Sequence, residues 1–410
     1  MKKTIVIGGG AAGIMAAIQS ASCSETYIVE KMPRLGLKIL VSGKGRCNVT
    51  NAGSVDELIN AFGHNGRFLY HALAEFSNSD LRNFLSSIGV ETKVERGKRV
   101  FPVSNRSKDV LNALKAELER RNVRVITGKS LVSFVISGNN IIGARLSDGS
   151  ILKGNYFVLA TGGKSFPGLG TTGDGFSILK KLGHTVTPLY PSLVPLVLKE
   201  KWVPSLEGLS LRNVRITVLL RNKKYTHFGD MVFTSRGISG PIVLTLSSEI
   251  VPLMSGEISA EIDFKPALSK EILEKRLIRE FSENGKKKLK NVLTHLLPAR
   301  IIPVFLQITG VSGDKRCSEI TKNEREKLVY TLKHFSITVT GSEGFAHAIV
   351  TKGGVSLKEV DPRTMRSKII NNLYIVGELL DLDAVTGGYN LQASFSTGYV
   401  AGKSICGKNE

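Results

Sequence analysis

Cysteine is scarce in this chain: four residues (Cys23, Cys47, Cys317 and Cys406), with no C-x-x-C pair among them. That count and spacing argue against a disulfide framework and a structural zinc site, and they suit a reducing compartment, the cytoplasm. The seven histidines are scattered without metal-ligand spacing, so no metal is expected. No window of apolar residues reaches the length of a membrane span. The apolar run in the opening MKKTIVIGGG is too short for a signal-peptide core and leads straight into glycines. A second strand-glycine-helix unit that could hold NAD(P)H is missing, and so is an aromatic platform of the RNP type. Acidic residues are the last deficit: 35 Asp and Glu stand against 56 Lys and Arg, a net charge of +21. Such an excess favours polyanionic partners or anionic substrates, and it also describes a solvated basic surface.

What is present begins at the N-terminus. Thr4-Ile5-Val6-Ile7 is a β-branched run that reads as a buried strand. Gly8-Gly9-Gly10-Ala11-Ala12-Gly13 follows as G-x-G-x-x-G, and then a stretch rich in helix formers from Ile14 to Ile18. A second strand, Thr26 to Val29, ends at Glu30. Gly8 permits the tight turn, Gly10 lets a pyrophosphate approach the backbone, and Gly13 lets the helix sit close to the strand. The helix N-terminus faces the phosphates, and Glu30 is placed to accept from ribose hydroxyls, which favours a free ribose over a 2′-phosphate.

The far end of the chain supplies a complement. Tyr156 to Leu159 reads as a strand leading into Ala160-Thr161-Gly162-Gly163, with Asp174 beyond. Leu373 to Val376 leads to Gly377-Glu378, then Asp381, Asp383 and Gly387-Gly388-Tyr389-Asn390-Leu391-Gln392, closing with a helix from Ala393 to Gly402. A strand ending in Gly-acid can hydrogen-bond ribityl hydroxyls, and N–H groups at a following helix start can face a flavin ring. The combination reads as FAD held by both ends of the chain. Gly398 to Ser404 resembles a P-loop, but it has three residues between its glycines and follows a helix, so nucleotide hydrolysis is not expected.

At 410 residues two domains are expected. Between about 190 and 345 the pattern changes to strands at Ser192–Val197, Val214–Leu220, Met231–Thr234 and Ile258–Asp263, followed by basic amphipathic helices at Lys270–Glu283, Lys286–Leu297 and Asn323–His334. The expected division is a FAD-binding domain over 1–189 and 346–410, split by an inserted substrate or lid domain over 190–345, β-barrel-like with helices. Residues 56–125 read as helical at Asp56–Phe62 and Asp109–Arg121, with short strands around Phe101. The fold class is α/β, a Rossmann-like FAD domain with a β-rich and helical insertion.

Several motifs together carry a more specific resemblance. The glycine motif, Ser42-Gly43-Lys44-Gly45-Arg46-Cys47-Asn48-Val49-Thr50-Asn51, Phe101-Pro102-Val103-Ser104, Ala160-Thr161-Gly162-Gly163, Val232-Phe233-Thr234, Gly237-Ile238-Ser239-Gly240-Pro241 and Gly387-Gly388-Tyr389-Asn390 are similar to those of the YhiN/BaiN-like flavoproteins, nearly end to end. The resemblance implies a split FAD domain and oxidoreductase chemistry. It covers enzymes that reduce activated double bonds in steroid-like acids and others that reduce uridine to dihydrouridine in ribosomal RNA. Glu378 stands where many FAD proteins carry Asp.

The expected cofactor residues are Gly8, Gly10, Ala11, Ala12, Gly13, Glu30, Lys31, Lys38, Ser42, Gly43, Arg46, Cys47, Asn48, Thr50 and Asn51, then Val132, Ala160, Thr161, Gly162, Gly163 and Asp174, and finally Gly377, Glu378, Asp383, Gly388, Tyr389, Asn390, Leu391 and Gln392. Arg46, Cys47, Asn48 and Tyr389 are the candidates near the reacting ring. Arg46 and Asn48 offer donors to phosphate or ring oxygens, and Cys47 is either a proton donor or a packed residue. NAD(P)H is expected as a transient electron donor; the alternative is a substrate that is itself the donor, with O2 as acceptor. The charge tilts the substrate toward structured ribosomal RNA. A small molecule (enone, steroid-like acid or amine) and a non-catalytic flavin-binding or sensing role are the alternatives.

Overall fold

Five strands make a parallel sheet at the heart of the first unit: β1 (Lys3–Ile7), β2 (Glu25–Glu30), β3 (Arg124–Thr127), β4 (Tyr156–Leu159) and β5 (Leu373–Ile375), in the order β5-β4-β1-β2-β3. Every neighbouring pair is parallel. The run from Thr4 to Ile7 is buried throughout, as a parallel strand covered on both faces must be. The computed structural model describes residues 2–407. Its chain divides into two units, Met1–Ser192 with Phe345–Glu410, and Leu193–Gly344, each with its own hydrophobic core.

Helix α1 (Ala11–Ser20) leads from β1 to β2, and α2 (Tyr389–Cys406) packs along it. Small residues let the two backbones meet. A Cβ on Gly398 would stand 2.2 Å from the Ala12 carbonyl oxygen, and one on Gly402 2.6 Å from that of Ala16. The glycines that resemble a P-loop are therefore a helix-packing stripe. An antiparallel meander (Leu131–Ser137, Asn140–Leu146, Ile151–Lys153) connects β3 to β4. Between β2 and β3 lie the helix Val55–Asn60, opened by a Ser54/Glu57 capping box, and the helix Ser107–Arg120. A small sheet joins Thr50–Asn51, Arg99–Pro102 and Thr92–Glu95.

In the second unit, six strands close into a barrel: Leu196–Leu198, Gly237–Ser239, Lys223–Phe233, Ser210–Leu220, Ile258–Asp263 and Phe335–Ser342. Helices Lys270–Glu283 and Lys322–Lys333 pack against each other, and Lys322–Lys333 also lies on the barrel. The long hairpin turns at Arg221-Asn222, where both residues have positive φ (51° and 61°), the conformation a tight two-residue hairpin turn requires. That turn and a bulge between Leu211 and Val214 explain why its strands run longer than the expected Val214–Leu220 and Met231–Thr234.

Three expectations are corrected. Ser192–Val197 is not one strand: Leu193 has φ +53°, and the chain forms Tyr190–Ser192 in the first unit and Leu196–Leu198 in the second. Lys286–Leu297 is not one helix. Lys288 is extended, and backbone bonds from Leu289 N–H to the Lys315 oxygen and from Cys317 N–H to the Lys287 oxygen tie this stretch to a neighbouring segment. Helical structure there is confined to Leu289–Val292 and a 3-10 turn at Leu293–His295. Lys288 and Lys290 each stand 2.9 Å from Asp314, which offsets their charge. Finally, Cys23 and Cys406 are joined as a disulfide, although 383 positions separate them. The α1–α2 packing brings the turn after α1 to the last turn of α2, a proximity that spacing along the chain does not reveal. Cys47 and Cys317 are free and buried.

Among the described residues, no helix is long and apolar enough to cross a membrane. No group of three or more His, Cys, Asp or Glu among them could hold a metal ion.

Candidate functional site

The three motif glycines turn out to be glycine for different reasons. Gly8 has φ +106°, and a Cβ there would stand 2.4 Å from the Ala160 carbonyl oxygen. A Cβ on Gly13 would stand 1.9 Å from the Gly8 oxygen. Both are demanded by the chain's own packing. A Cβ on Gly10 would meet nothing within 4 Å. Gly10 is the N-cap of α1 and carries no side-chain cap, and the first-turn N–H groups lie outside the helix's own ladder. The motif thus leaves an open cradle at a positive helix end, which fits a pyrophosphate. At the end of β2, Glu30 accepts from the Gly9 and Met32 N–H groups, each at 2.8 Å. These bonds hold its carboxylate at the rim of the turn and leave lone pairs for ribose hydroxyls.

Lys31 reaches across to Asp174 (2.6 Å) and Thr172 (2.5 Å). Burial pushes the Asp174 carboxyl up, but the bonds from Lys31 and Thr172 outweigh it and hold the group below the ordinary aspartate value. Glu378 is more heavily engaged than a simple ribityl acceptor. Its Oε2 pairs with Lys38 at 2.6 Å, and its Oε1 accepts from Ser165 Oγ (2.9 Å) and Thr351 N–H (2.8 Å). A Cβ on Gly163 would stand 2.9 Å from that same oxygen, so this glycine makes room for the acid. Gly377 has φ +68° and donates its N–H to Thr397 Oγ1 at 3.1 Å. Thr161 Oγ1 is buried and has no partner.

The loop from Ser42 to Asn51 folds back on itself. Gly43, Lys44 and Cys47 all have positive φ (56°, 58° and 61°), and the Cys47 N–H returns to the Ser42 oxygen at 3.0 Å. A Cβ on Gly43 would stand 2.8 Å from the Asn48 nitrogen. Gly388, at φ +99°, presses against this loop: a Cβ there would stand 2.3 Å from the Thr50 oxygen and 2.9 Å from Asn48 Oδ1. Asn51 Nδ2 donates to the Gly387 and Gly97 oxygens at 3.1 and 3.2 Å. The structure therefore joins Asn48, Thr50 and Asn51 to Gly387 and Gly388, across more than 300 residues of sequence. Asn48 Oδ1 is buried without a partner. An orphaned amide oxygen, an orphaned threonine hydroxyl and an open glycine cradle in one unit are what a bound dinucleotide with polar ring edges leaves behind, and they fit FAD.

Not every expected residue turns toward that centre. The Arg46 guanidinium lies over the Phe101 ring at 4.0 Å, donates to Asn105 Oδ1 at 2.7 Å and pairs with Glu95. Cys47 is fully buried, and burial pushes its thiol up to about 11 in spite of a hydrogen bond with Ser42. Ser42 Oγ itself donates to the Ile39 oxygen at 2.8 Å. Asn390 closes its own loop by exchanging two bonds with the Ala384 backbone. Gln392 is buried and donates to the Phe76 oxygen and Ser396. Asp383 receives Ser192 Oγ at 3.0 Å and lies 3.3 Å from Lys352. Leu391 and Tyr389 are partly buried, and burial raises the Tyr389 phenol. Val132 is 52% exposed on the meander. Sequence reasoning missed Ser165, Thr351, Glu95 and Asn105, each a partner of an expected residue. Only Asn105 had a local signal, lying one position past the Phe101–Ser104 motif.

The Cys47 thiol carries a prediction. A protonated thiol is favoured in the folded state, so its contribution is intact below pH 9 and is lost as pH rises toward 11. With the thiol raised from about 9 to about 11, roughly 3 kcal/mol of stability should disappear across that window. Cys47→Ala is expected to flatten the alkaline limb of a urea-midpoint-against-pH curve; identical limbs for the two proteins would show that the thiol does not titrate in this way.

The split parallel sheet, the open glycine turn and the acid at the end of β2 define a Rossmann-type dinucleotide-binding unit, the kind that FAD-dependent oxidoreductases use. The chain belongs to the HI0933-like protein Rossmann-domain family, whose model matches residues 2–404. It is 32% identical to the 3-dehydro-bile acid delta(4,6)-reductase of Clostridium scindens over 98% of this chain and 99% of that protein. It is also 32% identical to the ribosomal RNA dihydrouridine synthase of Haemophilus influenzae, over 98% of each. Among solved structures, the 3-ketosteroid delta1-dehydrogenase of Sterolibacterium denitrificans aligns over 100% of both chains, with a TM-score of 0.56 at 13% identity, a likeness of fold.

Proposed function

We propose that the chain is an NAD(P)H-dependent reductase of a C=C bond conjugated to a carbonyl, and that its substrate is uridine in ribosomal RNA, converted to dihydrouridine. The observation that carries this reading is full-length likeness to two reductases whose names share one chemistry. A 3-dehydro-Δ4,6 bile acid and a uracil ring both present an alkene polarised by a carbonyl, open to hydride at the β-carbon and a proton at the α-carbon. The net charge of +21 tilts the reading toward RNA, a polyanion, over the steroid-like acid, and an RNA substrate would go with the cytoplasm.

Bound FAD would supply the hydride, renewed by a nicotinamide that visits transiently. The cofactor would rest on Gly8, Gly10, Gly13 and Glu30 at the adenosine end, and on the 42–51 loop and Gly388 at the ring end. Asn48, with its unsatisfied oxygen, orients a ring edge or a substrate imide N–H. Tyr389 is a partly buried phenol that burial raises further, and it holds the proton, because the protonated Cys47 thiol is fully buried. Arg46 contributes positive potential from its seat on Phe101, and Cys47 packs the loop.

Mass spectrometry of ribosomal RNA from a deletion strain tests the reading. Loss of one dihydrouridine, restored by the wild-type gene, is the expected result. Unchanged RNA together with turnover of a 3-keto-4-ene steroid would replace it with the small-molecule reading, which the likeness to the bile acid reductase favours. Failure of NADH, NADPH and every other donor tested to bleach the purified protein's flavin without air would favour a flavin-binding role.

A further inference from the structure

The outer face of the barrel hairpin carries a combination that neither the cofactor site nor the fold requires. Strand register sets Arg215 opposite Phe228, Thr217 opposite Thr226 and Leu219 opposite Lys224. Alternation puts these six side chains on one face, while Ile216 and Val218 point into the barrel with no exposure. A 3.2 Å contact between the Thr217 and Thr226 hydroxyls ties the two strands on that face. Phe228 is 61% exposed and Leu219 69% exposed, on a surface where an antiparallel barrel strand ordinarily carries polar residues.

The cations beside this ring have not been neutralised. Among the described residues no ion pair involves Arg212, Arg215, Arg221, Lys223 or Lys224. The nearest acids on the barrel are occupied elsewhere: Asp263 pairs with Lys333 at 2.7 Å and Glu261 with His334 at 3.0 Å. Asp230 Oδ1 accepts the Asn213 N–H at 3.1 Å. Arg221 continues the basic row to the hairpin tip. A solvent-facing aromatic ring, a guanidinium directly across from it and further cations along the same ladder are the components with which proteins hold single-stranded nucleic acid: a base stacks on the ring and the backbone phosphates follow the cations. Charge complementarity separates this from an apolar docking patch, because a neutral protein surface would gain nothing from Arg215 across from the ring and Lys224 further along the same face.

We infer that the Arg215/Phe228/Lys224 face of this hairpin is a stacking platform for a single-stranded segment of the RNA substrate. The inference rests on the RNA reading above and adds to it a surface that grips the RNA.

The test uses the full-length, FAD-loaded protein and a fluorescein-labelled oligouridine, with fluorescence anisotropy over a range of KCl concentrations. Phe228→Ala should weaken binding about 10-fold, within the range expected for one stacked base. Phe228→Trp should bind as wild type does, and Phe228→Leu as poorly as the alanine variant. Arg215→Ala and Lys224→Ala should each lower the slope of log affinity against log salt by about 0.7. Because the ring is exposed, the variants should share the wild-type far-UV CD spectrum and bound-flavin absorbance. Equal binding by Phe228→Ala and wild type would overturn the platform, and so would full rescue by leucine, which marks a merely apolar contact. If either result comes with dihydrouridine that the wild-type gene restores in the deletion strain, the platform falls and the RNA reading stands. A wild-type protein that neither binds oligouridine nor restores dihydrouridine removes both.

Discussion

Gly10→Val yields a folded protein without its flavin. A Cβ on Gly10 meets nothing within 4 Å, and the Gly10 backbone has φ −83°, open to any residue. The chain therefore has no reason to unfold. The added methyls fill the place where the pyrophosphate approaches the N-terminus of α1. FAD affinity should fall by at least about 100-fold, roughly 2.7 kcal/mol, read as loss of visible flavin absorbance at unchanged CD. Gly13→Ala is the matched control. Its single methyl would lie 1.9 Å from the Gly8 carbonyl oxygen, a backbone atom that cannot move without dislodging β1. Overpacking of that kind costs about 1–3 kcal/mol, or more where backbone must shift, so this variant should lose thermal stability with or without added FAD. A yellow, saturable Gly10→Val protein would refute the cradle.

The second large effect is expected at the opposite end of the chain. Gly398→Val places a branched side chain against the Ala12 carbonyl at the closest point of α1 and α2. The two helices bury Ala12, Ala16, Phe395 and Ala401 between and around them, and prising them apart opens that packing. We expect a loss of about 3 kcal/mol or more, a large share of the stability of an ordinary domain, and mostly insoluble protein. A nucleotide-binding role for Gly398 to Ser404 would give the opposite pattern, a well-folded variant with altered ATP binding. Wild-type thermal stability for Gly398→Val would remove the packing account.

Much of this molecule was legible in the sequence because it is encoded locally. The β-branched run at Thr4–Ile7 and the aromatic and aliphatic run at Tyr156–Leu159 are strands because a parallel sheet buries both of their faces. The glycine spacing after β1 reflects one turn and one helix start, both complete within a few residues. Lys270–Glu283 is a helix to the residue, since an apolar stripe at helical spacing and a Ser269 cap need no distant partner. Composition set the sign of the surface field.

Tertiary structure decided which distant group each side chain meets. Arg46, read as a donor toward the cofactor, is committed to Phe101, Asn105 and Glu95, because the hairpin 92–102 folds beside the loop. Glu378 is shared among Lys38, Ser165 and Thr351, positions 340, 213 and 27 residues away. Gly398 and Gly402 gain their meaning from a helix at the other end of the chain, and Cys23 finds Cys406 for the same reason. Phe228 is exposed only because strand register sends its side chain outward. Periodicity and motif spacing report interactions that close within a turn or a strand. Long-range pairing depends on the three-dimensional path of the chain, so the sequence alone could name the chemistry of these groups but not their partners.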